Sequence, residues 1–163
     1  MTKENMTNMI NEVAKELGIK IEIVESPDPM TQLRLALSMG SDAVIFGQAF
    51  VDGHIEMYSS SFLKSWDEMS KFLNKIGKLK YLFAAGRNLE KAFRNFIKDT
   101  LVHENRHIKQ IEYVRSKGWD VEDTMEKINQ GNYWQRRHEI DAFCKQYFGF
   151  GLPLSWVFKK VAP

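Results

Sequence analysis

Apolar side chains in the first forty residues follow helical spacing, then strand spacing, then helical spacing again. They recur every three or four positions over 6–17, which predicts a helix that ends at Gly18. Alternation over 19–24 predicts a strand, and the Pro-Asp-Pro sequence that follows predicts a turn. A second helix is predicted over 30–39.

The segment 43–58 has the pattern of a β-hairpin. An apolar, β-prone run covers 43–51, and Asp52-Gly53 after it is a dipeptide typical of hairpin turns. Polar and apolar residues then alternate over 54–58, as in a returning strand. We therefore expect one small sheet in the N-terminal part of the chain.

Helical patterns dominate after Ser61. Four amphipathic stretches are predicted as helices, over 62–76, 88–116, 121–129 and 133–147. Glycine and proline over 149–153 end this helical part and leave an aromatic tail, with Trp156 and Phe158, that is less easily buried. The predicted fold class is α+β, with the sheet early and the helices late, in a single domain that covers 1–163.

Charge is unevenly distributed along the chain although the formal net charge is only +2. Residues 1–60 hold four basic and nine acidic side chains, whereas residues 61–117 hold thirteen basic and six acidic ones. The small net charge favours no general affinity for nucleic acid. The basic middle segment is more typical of a solvated helix face than of a partner surface.

The sequence favours a cytoplasmic protein without membrane contact. Cys144 is the only cysteine, so no intramolecular disulfide can form, which fits a reducing compartment. The N-terminal segment is charged and amphipathic and does not resemble a secretory signal. No apolar run approaches the length that spans a membrane.

The sequence HENRH at 103–107 lies in the middle of the helix predicted over 88–116. Two residues four apart share one face of a helix, so the imidazoles of His103 and His107 can reach one metal ion. Zinc is commonly bound by such histidines. Glu104 is then placed beside the metal, where it can act as general base and then as general acid. This spacing predicts a zinc-dependent hydrolase; the competing interpretation is two solvated histidines whose spacing is accidental.

A zinc hydrolase needs a third protein ligand and an open fourth position. We expect that ligand on a later helix that packs against the first, and the helix predicted over 133–147 offers His138, Glu139 and Asp141. Adjacent residues point about 100° apart on a helix. Only one of His138 and Glu139 can therefore face the metal.

Two short segments carry a resemblance to a known family. The HENRH sequence, with Gln110 three residues after it, and Glu-Ile-Asp-Ala-Phe at 139–143 resemble the gluzincin zinc metallopeptidases. The resemblance is greatest to the compact minigluzincins and related small HExxH peptidases, including phage-encoded and bacterial forms. In these families the later helix often reads E-x-E/D-A, and its first acid is the third ligand. The resemblance therefore implies a Zn²⁺ ion held by His103, His107 and Glu139.

The same resemblance implies a zincin-like fold and an enzyme that hydrolyses peptide bonds. Asp141 would orient a ligand histidine, and the peptide or protein substrate would lie along the edge strand of the 43–58 hairpin. One position departs from the usual pattern, because Arg106 puts a charge inside the motif. Arg106 lies away from both histidines on the helical wheel, so we expect it to point outward.

Other functions and other site residues remain open from sequence. The chain could be a binding protein that keeps a zincin-like fold without turnover. It could also be a nucleic-acid or virion-associated protein that uses the basic region 64–117, with Lys71, Lys75, Lys78, Lys80, Arg87, Lys91 and Arg94. Three residues could stabilise an oxyanion in an amide hydrolase, namely Tyr133, His138 and Tyr147.

Overall fold

Seven helices and three strands make up the part of the chain that the computed structural model describes, residues 1–39, 44–71, 88–130 and 135–163. The helices are α1 (Lys3–Leu17), α2 (Pro29–Met39), α3 (Ser59–Lys71), α4 (Leu89–Ser116), α5 (Val121–Ile128), α6 (Arg137–Phe148) and α7 (Leu154–Val157). The strands are β1 (Glu22–Val24), β2 (Gly47–Ala49) and β3 (Ile55–Tyr58). The α+β class predicted from the sequence is confirmed, with helices in the majority and one small mixed sheet.

Helix α1 begins three residues before the predicted helix because of a side-chain cap. The Thr2 hydroxyl accepts a hydrogen bond from the Asn5 N–H group at 3.1 Å, which satisfies a backbone donor at the helix start. Gly18 ends the helix with φ at 66°, a left-handed conformation that glycine adopts without steric cost. The apolar face of α1 is buried against α3 and α4.

The sheet has the strand order β1-β3-β2, with β1 parallel and β2 antiparallel to β3. The predicted hairpin is confirmed, since the Phe50 N–H group donates to the His54 carbonyl at 2.9 Å around the Asp52-Gly53 turn. The strands predicted over 19–24 and 43–51 are shorter in the structure, because the ladder spans only three residues of each. Residue 43 lies outside the described residues.

Helix α4 is the longest described helix and contacts α1, α3, α5, α6 and β2. The Asn88 side chain caps it by accepting from the Lys91 N–H group at 2.9 Å, and no glycine or proline interrupts its sequence. Its bounds match the helix predicted over 88–116. Of the predicted helices 62–76 and 133–147, residues 72–76 and 133–134 lie outside the described residues.

The apolar core forms two clusters joined by α4. The larger cluster unites α1, β3, α3 and the first half of α4, and it includes aromatic contacts such as Phe62 with Phe93, with ring centroids 6.1 Å apart. The smaller cluster joins Val114 and Ile128 to the C-terminal tail. Phe158 is fully buried there and stacks on Tyr113, so the expectation of an exposed tail was wrong for this residue.

Within the described residues, no helix combines the length and the apolar character that crossing a membrane requires.

Candidate metal centre

Three side chains from two helices bring their donor atoms together. His103 and His107 lie one turn apart on α4, and Glu139 lies in the first turn of α6. The two imidazole Nε2 atoms are 3.2 Å apart. Glu139 Oε2 lies 3.3 Å from His103 Nε2 and 3.5 Å from His107 Nε2. The structure therefore brings together the three residues that were predicted as metal ligands.

Each of the two histidines is oriented by a glutamine. His103 Nδ1 lies 3.1 Å from Gln146 Oε1, and His107 Nδ1 lies 2.8 Å from Gln110 Oε1. An amide oxygen can only accept a hydrogen bond, so each Nδ1 carries the hydrogen. In the neutral imidazole this leaves the lone pair on Nε2, and the two Nε2 atoms face each other and Glu139.

Gln110 connects His107 to a buried carboxylate on α6. Its Nε2 donates to Asp141 Oδ2 at 2.7 Å and to the His138 carbonyl at 2.9 Å. Gln110 and Asp141 are fully buried. Asp141 is therefore linked to His107 through Gln110.

The expectation that Arg106 points outward was wrong. Its guanidinium donates to both oxygens of Asp141, from Nε at 2.8 Å and from Nη2 at 3.1 Å, and Nη2 also reaches the Leu152 carbonyl at 2.8 Å. The Leu152 N–H group donates to Asp141 as well, at 2.6 Å. The oxygens of Asp141 are thus occupied by protein donors, and Asp141 lies outside the group of converging ligand atoms.

Glu104 lies between the histidines and the edge strand β2. Its carboxylate Oε2 accepts a hydrogen bond from the Ala49 N–H group at 3.0 Å. The strand passes so close that a Cβ atom on Gly47 would lie 3.2 Å from Glu104 Cγ and 2.8 Å from Met57 Sδ. The absence of a side chain at position 47 therefore allows β2 to approach α4 beside Glu104.

Electrostatics inside the cluster favour positive charge. Burial is the largest single influence and would lower the pKa of His107, but the Glu139 carboxylate, the Glu104 charge and the Gln110 hydrogen bond together raise that pKa to about 9. Burial would conversely raise the pKa of Glu139, but the charge of His107 and the neighbouring imidazoles of His103 and His138 hold that pKa well below its usual range. A buried carboxylate among imidazoles thus stabilises a cation at the place where the three donor atoms meet.

The alternative third ligand His138 is close to the cluster but outside it. Its Nε2 lies 3.3 Å from Glu139 Oε1, whereas Glu139 Oε2 is the oxygen that approaches His103 and His107. Burial lowers the pKa of His138. Of the residues predicted as oxyanion donors, Tyr147 is half exposed and stacks on Phe143, and Tyr133 lies outside the described residues.

Gln146 is the site residue that the sequence analysis missed. It lies seven residues after Glu139 on α6, which is close to two helical turns, so both side chains lie on one face. That spacing was a usable signal, because a ligand histidine commonly donates its second N–H to a nearby oxygen.

A second group of possible ligands lies on the sheet, formed by Glu22, His54 and Glu56. Glu22 is exposed, and His54 Nδ1 lies 2.5 Å from Asp52 Oδ1. Exposed acidic groups of this kind are common without a metal ion, and this group is more exposed than the one formed by His103, His107 and Glu139.

Of the seven basic residues predicted as a nucleic-acid surface, the structure describes the side chains of Lys91 and Arg94. Arg94 forms ion pairs with Glu12 at 2.7 Å and with Glu16 at 2.5 Å, so its charge is used within the fold. Lys91 is exposed. The side chain of Lys71, and the residues from Lys75 to Arg87, lie outside the described residues.

No protein-family model matches this chain, and searches of curated proteins and of solved structures found no match either. A function for this chain must therefore be inferred from its own residues.

The donor set fits a zinc ion. Two histidines and one glutamate form the ligand set of one known class of catalytic zinc sites. Both histidines have their second nitrogen hydrogen-bonded, as metal-ligating histidines almost always do. All three ligand side chains are at most 11% exposed, so the site is largely shielded from solvent. Two histidines and a carboxylate can also hold iron, which metal analysis distinguishes.

Proposed function

We propose that this chain is a zinc-dependent metallopeptidase with a zincin-like fold. His103, His107 and Glu139 would hold the metal, and Glu104 would be the general base and acid. The observation that carries the proposal is the convergence of three donor atoms from α4 and α6 beside a carboxylate on the same helix. Each of these four residues belongs to the motifs that resemble the gluzincins.

The roles divide between the metal and the protein. When bound, zinc supplies Lewis acidity, which polarises a carbonyl group and makes a water molecule acidic at neutral pH. Glu104 accepts a proton at a carboxylate oxygen and later delivers it to the leaving amine nitrogen. The Ala49 N–H group holds Glu104 Oε2 at 3.0 Å, which fixes the base relative to the edge strand.

The position of β2 at the edge of the described sheet supports a peptide as substrate. The backbones of Phe46 and Phe50 form hydrogen bonds with Tyr58 and His54 on the other arm of the hairpin. Backbone groups alternate in direction along a strand, so the two residues on either side of Gln48 turn theirs away from β3. These residues are Gly47 and Ala49, and the Ala49 N–H group points to Glu104. An extended peptide that adds to this edge would therefore lie beside the catalytic carboxylate.

The first test concerns the metal. Protein purified without added metal should contain close to one zinc ion per chain, as measured by inductively coupled plasma mass spectrometry. His107→Ala should lose most of it, whereas His54→Ala on the sheet surface should not. Iron in place of zinc, or equal zinc content in wild type and His107→Ala, would contradict the proposed centre.

The second test concerns turnover and uses Glu104→Gln. The variant keeps the shape of the side chain and removes the base, so zinc content and folding should be unchanged. Cleavage of a mixed peptide library should fall by about 10²-fold or more, the scale of lost general acid–base catalysis. Glu112→Gln is the matched control, because Glu112 lies on the same helix and pairs with Lys109 at the surface.

The outcomes separate the proposed enzyme from the two other candidate functions. Undiminished cleavage by Glu104→Gln would mean another mechanism. Zinc binding without cleavage by wild type would favour a binding protein with a zincin-like fold. Salt-dependent binding to DNA or RNA by protein that holds no zinc would favour a nucleic-acid partner.

A further inference from the structure

The two oxygens of the Glu139 carboxylate have different neighbours, and His138 is the neighbour of one of them. The His138 side chain is almost completely buried, with 2% of the residue exposed. Its Nε2 lies 3.3 Å from Glu139 Oε1. The other oxygen, Oε2, is the one that approaches His103 and His107. The carboxylate therefore has one oxygen toward the histidine pair and one toward His138.

The position of the hydrogen on the His138 ring follows from its burial. Within the described part of the chain, the buried Nδ1 atom has no hydrogen-bond partner. An unpaired buried N–H group is rarer in proteins than an acceptor that lacks a partner. The hydrogen therefore belongs on Nε2, where it can be donated to Glu139 Oε1.

The backbone of His138 takes part in orienting a second ligand. Its carbonyl accepts a hydrogen bond from Gln110 Nε2 at 2.9 Å. The same Gln110 side chain accepts from His107 Nδ1 at 2.8 Å. His138 thus contacts the proposed ligand Glu139 directly and the proposed ligand His107 through Gln110.

We propose that His138 is a positioning residue that holds Glu139 Oε1, so that Oε2 alone faces the metal. This inference rests on the zinc site of the proposed function. Partners of this kind fix ligand orientation, and their loss typically weakens metal affinity by 10- to 100-fold. His138 itself would contribute no bond to the metal.

The experiment measures zinc affinity for wild type and three variants by competition with a chelator. His138→Gln puts an amide N–H near the position of imidazole Nε2, whereas His138→Asn puts one near Nδ1, and His138→Leu has no donor. The Kd for zinc should rise about 10- to 100-fold in the Leu and Asn variants and stay within about threefold of wild type in the Gln variant. Glu139→Ala should be weaker than any of the three.

Two further measurements separate positioning from general structure. Circular dichroism and urea unfolding in chelator report whether each variant folds. The visible spectrum of the cobalt-substituted protein reports ligand geometry, and the Gln variant should keep the wild-type spectrum while the Leu variant changes it. If the Leu variant does not fold, the comparison of Gln with Asn decides.

Wild-type affinity in His138→Leu, or in His138→Asn where Leu does not fold, would overturn the positioning role. So would a His138→Gln variant as weak as Glu139→Ala, because the imidazole itself would then be a ligand. A wild-type protein that binds no zinc would instead refute the metal site of the proposed function, which the titration of wild type alone reveals.

Discussion

At the scale of single residues, one side chain of α6 orients a histidine of α4. Gln146 is half-buried at the far end of α6 from Glu139, yet its amide oxygen lies 3.1 Å from His103 Nδ1. Gln146 thus accepts a hydrogen bond from that nitrogen, and it lies on the helix that also supplies Glu139. The proposed ligand His103 therefore depends on α6 for its orientation.

At the residue scale, Gln146→Leu should weaken zinc binding by about 10- to 100-fold, because His103 loses the acceptor that fixes its ring. Stability without metal should change little, since Gln146 is only half-buried. The measurement is a zinc titration against a competing chelator. The exposed Gln130→Leu is the control, and equal affinity in both variants would show that Gln146 has no orienting role.

Gly47→Ala should reduce peptide cleavage and leave zinc affinity unchanged. The new Cβ would lie 3.1 Å from the Glu56 carbonyl and 3.2 Å from Glu104 Cγ, so the strand and Glu104 must move apart. A shift of about 1 Å near reacting groups can cost about 10²-fold in rate. Steady-state kinetics of zinc-loaded protein tests this.

Gly18→Ala is the matched control for Gly47→Ala. Gly18 has φ at 66° and open space around it, so the substitution should cost about 1 kcal/mol of stability without reaching the site. Equal loss of activity in both variants would show that the effect of Gly47→Ala comes from stability and not from Glu104.

At the element scale, a buried ion pair sets how α4 and α6 face each other. Arg106 and Asp141 form two hydrogen bonds between the helices, and Gln110 adds a third contact to the same carboxylate. Gly151 permits this arrangement, because a Cβ atom at position 151 would collide with the Arg106 guanidinium. The rotation of α6 that brings Glu139 to the histidines therefore depends on the polar contacts of Asp141, which lies two residues after Glu139 on the same helix.

Asp141→Asn should destabilise the protein by about 3–5 kcal/mol, because Arg106 is left without its buried counter-charge. Urea unfolding in the presence of chelator measures this free energy without any contribution from metal. Asp123→Asn removes an exposed pair with Lys127 and should cost less than about 1 kcal/mol. Similar losses in the two variants would contradict the importance of burial for the Arg106 pair.

At the scale of the whole molecule, the proposed zinc ion would join parts of the chain that are distant in sequence. It would link α4 to α6 at His107 and Glu139, beside contacts that already join these helices. A ligand that binds only the folded state stabilises it by mass action. The metal would therefore contribute to stability as well as to chemistry.

Free zinc at about a thousand times Kd should stabilise the fold by about 4 kcal/mol. For a domain of this size that corresponds to a rise in Tm of about 10 °C. Thermal unfolding with zinc and with chelator measures the difference. Glu104→Gln should show the same rise as wild type, and His107→Ala should show none; a rise in His107→Ala would mean that zinc binds elsewhere.

Local features of this protein follow from sequence because they depend on neighbours along the chain. The uninterrupted apolar periodicity over 88–116 predicted α4, and its spacing placed His103 and His107 on one face. The Asp52-Gly53 turn and the α+β class were predicted in the same way. Strand lengths were not, because the ladder exists only where a partner strand lies alongside.

Only the tertiary structure decided which side chain of α6 lies beside the histidines. His138, Glu139 and Asp141 are all within one turn, and the rotation of the helix about its axis chooses among them. That rotation depends on contacts between α4 and α6, above all the pair of Arg106 with Asp141. The sequence pattern carries no information on such a contact, because its partners are 35 residues apart and their meeting is set by packing.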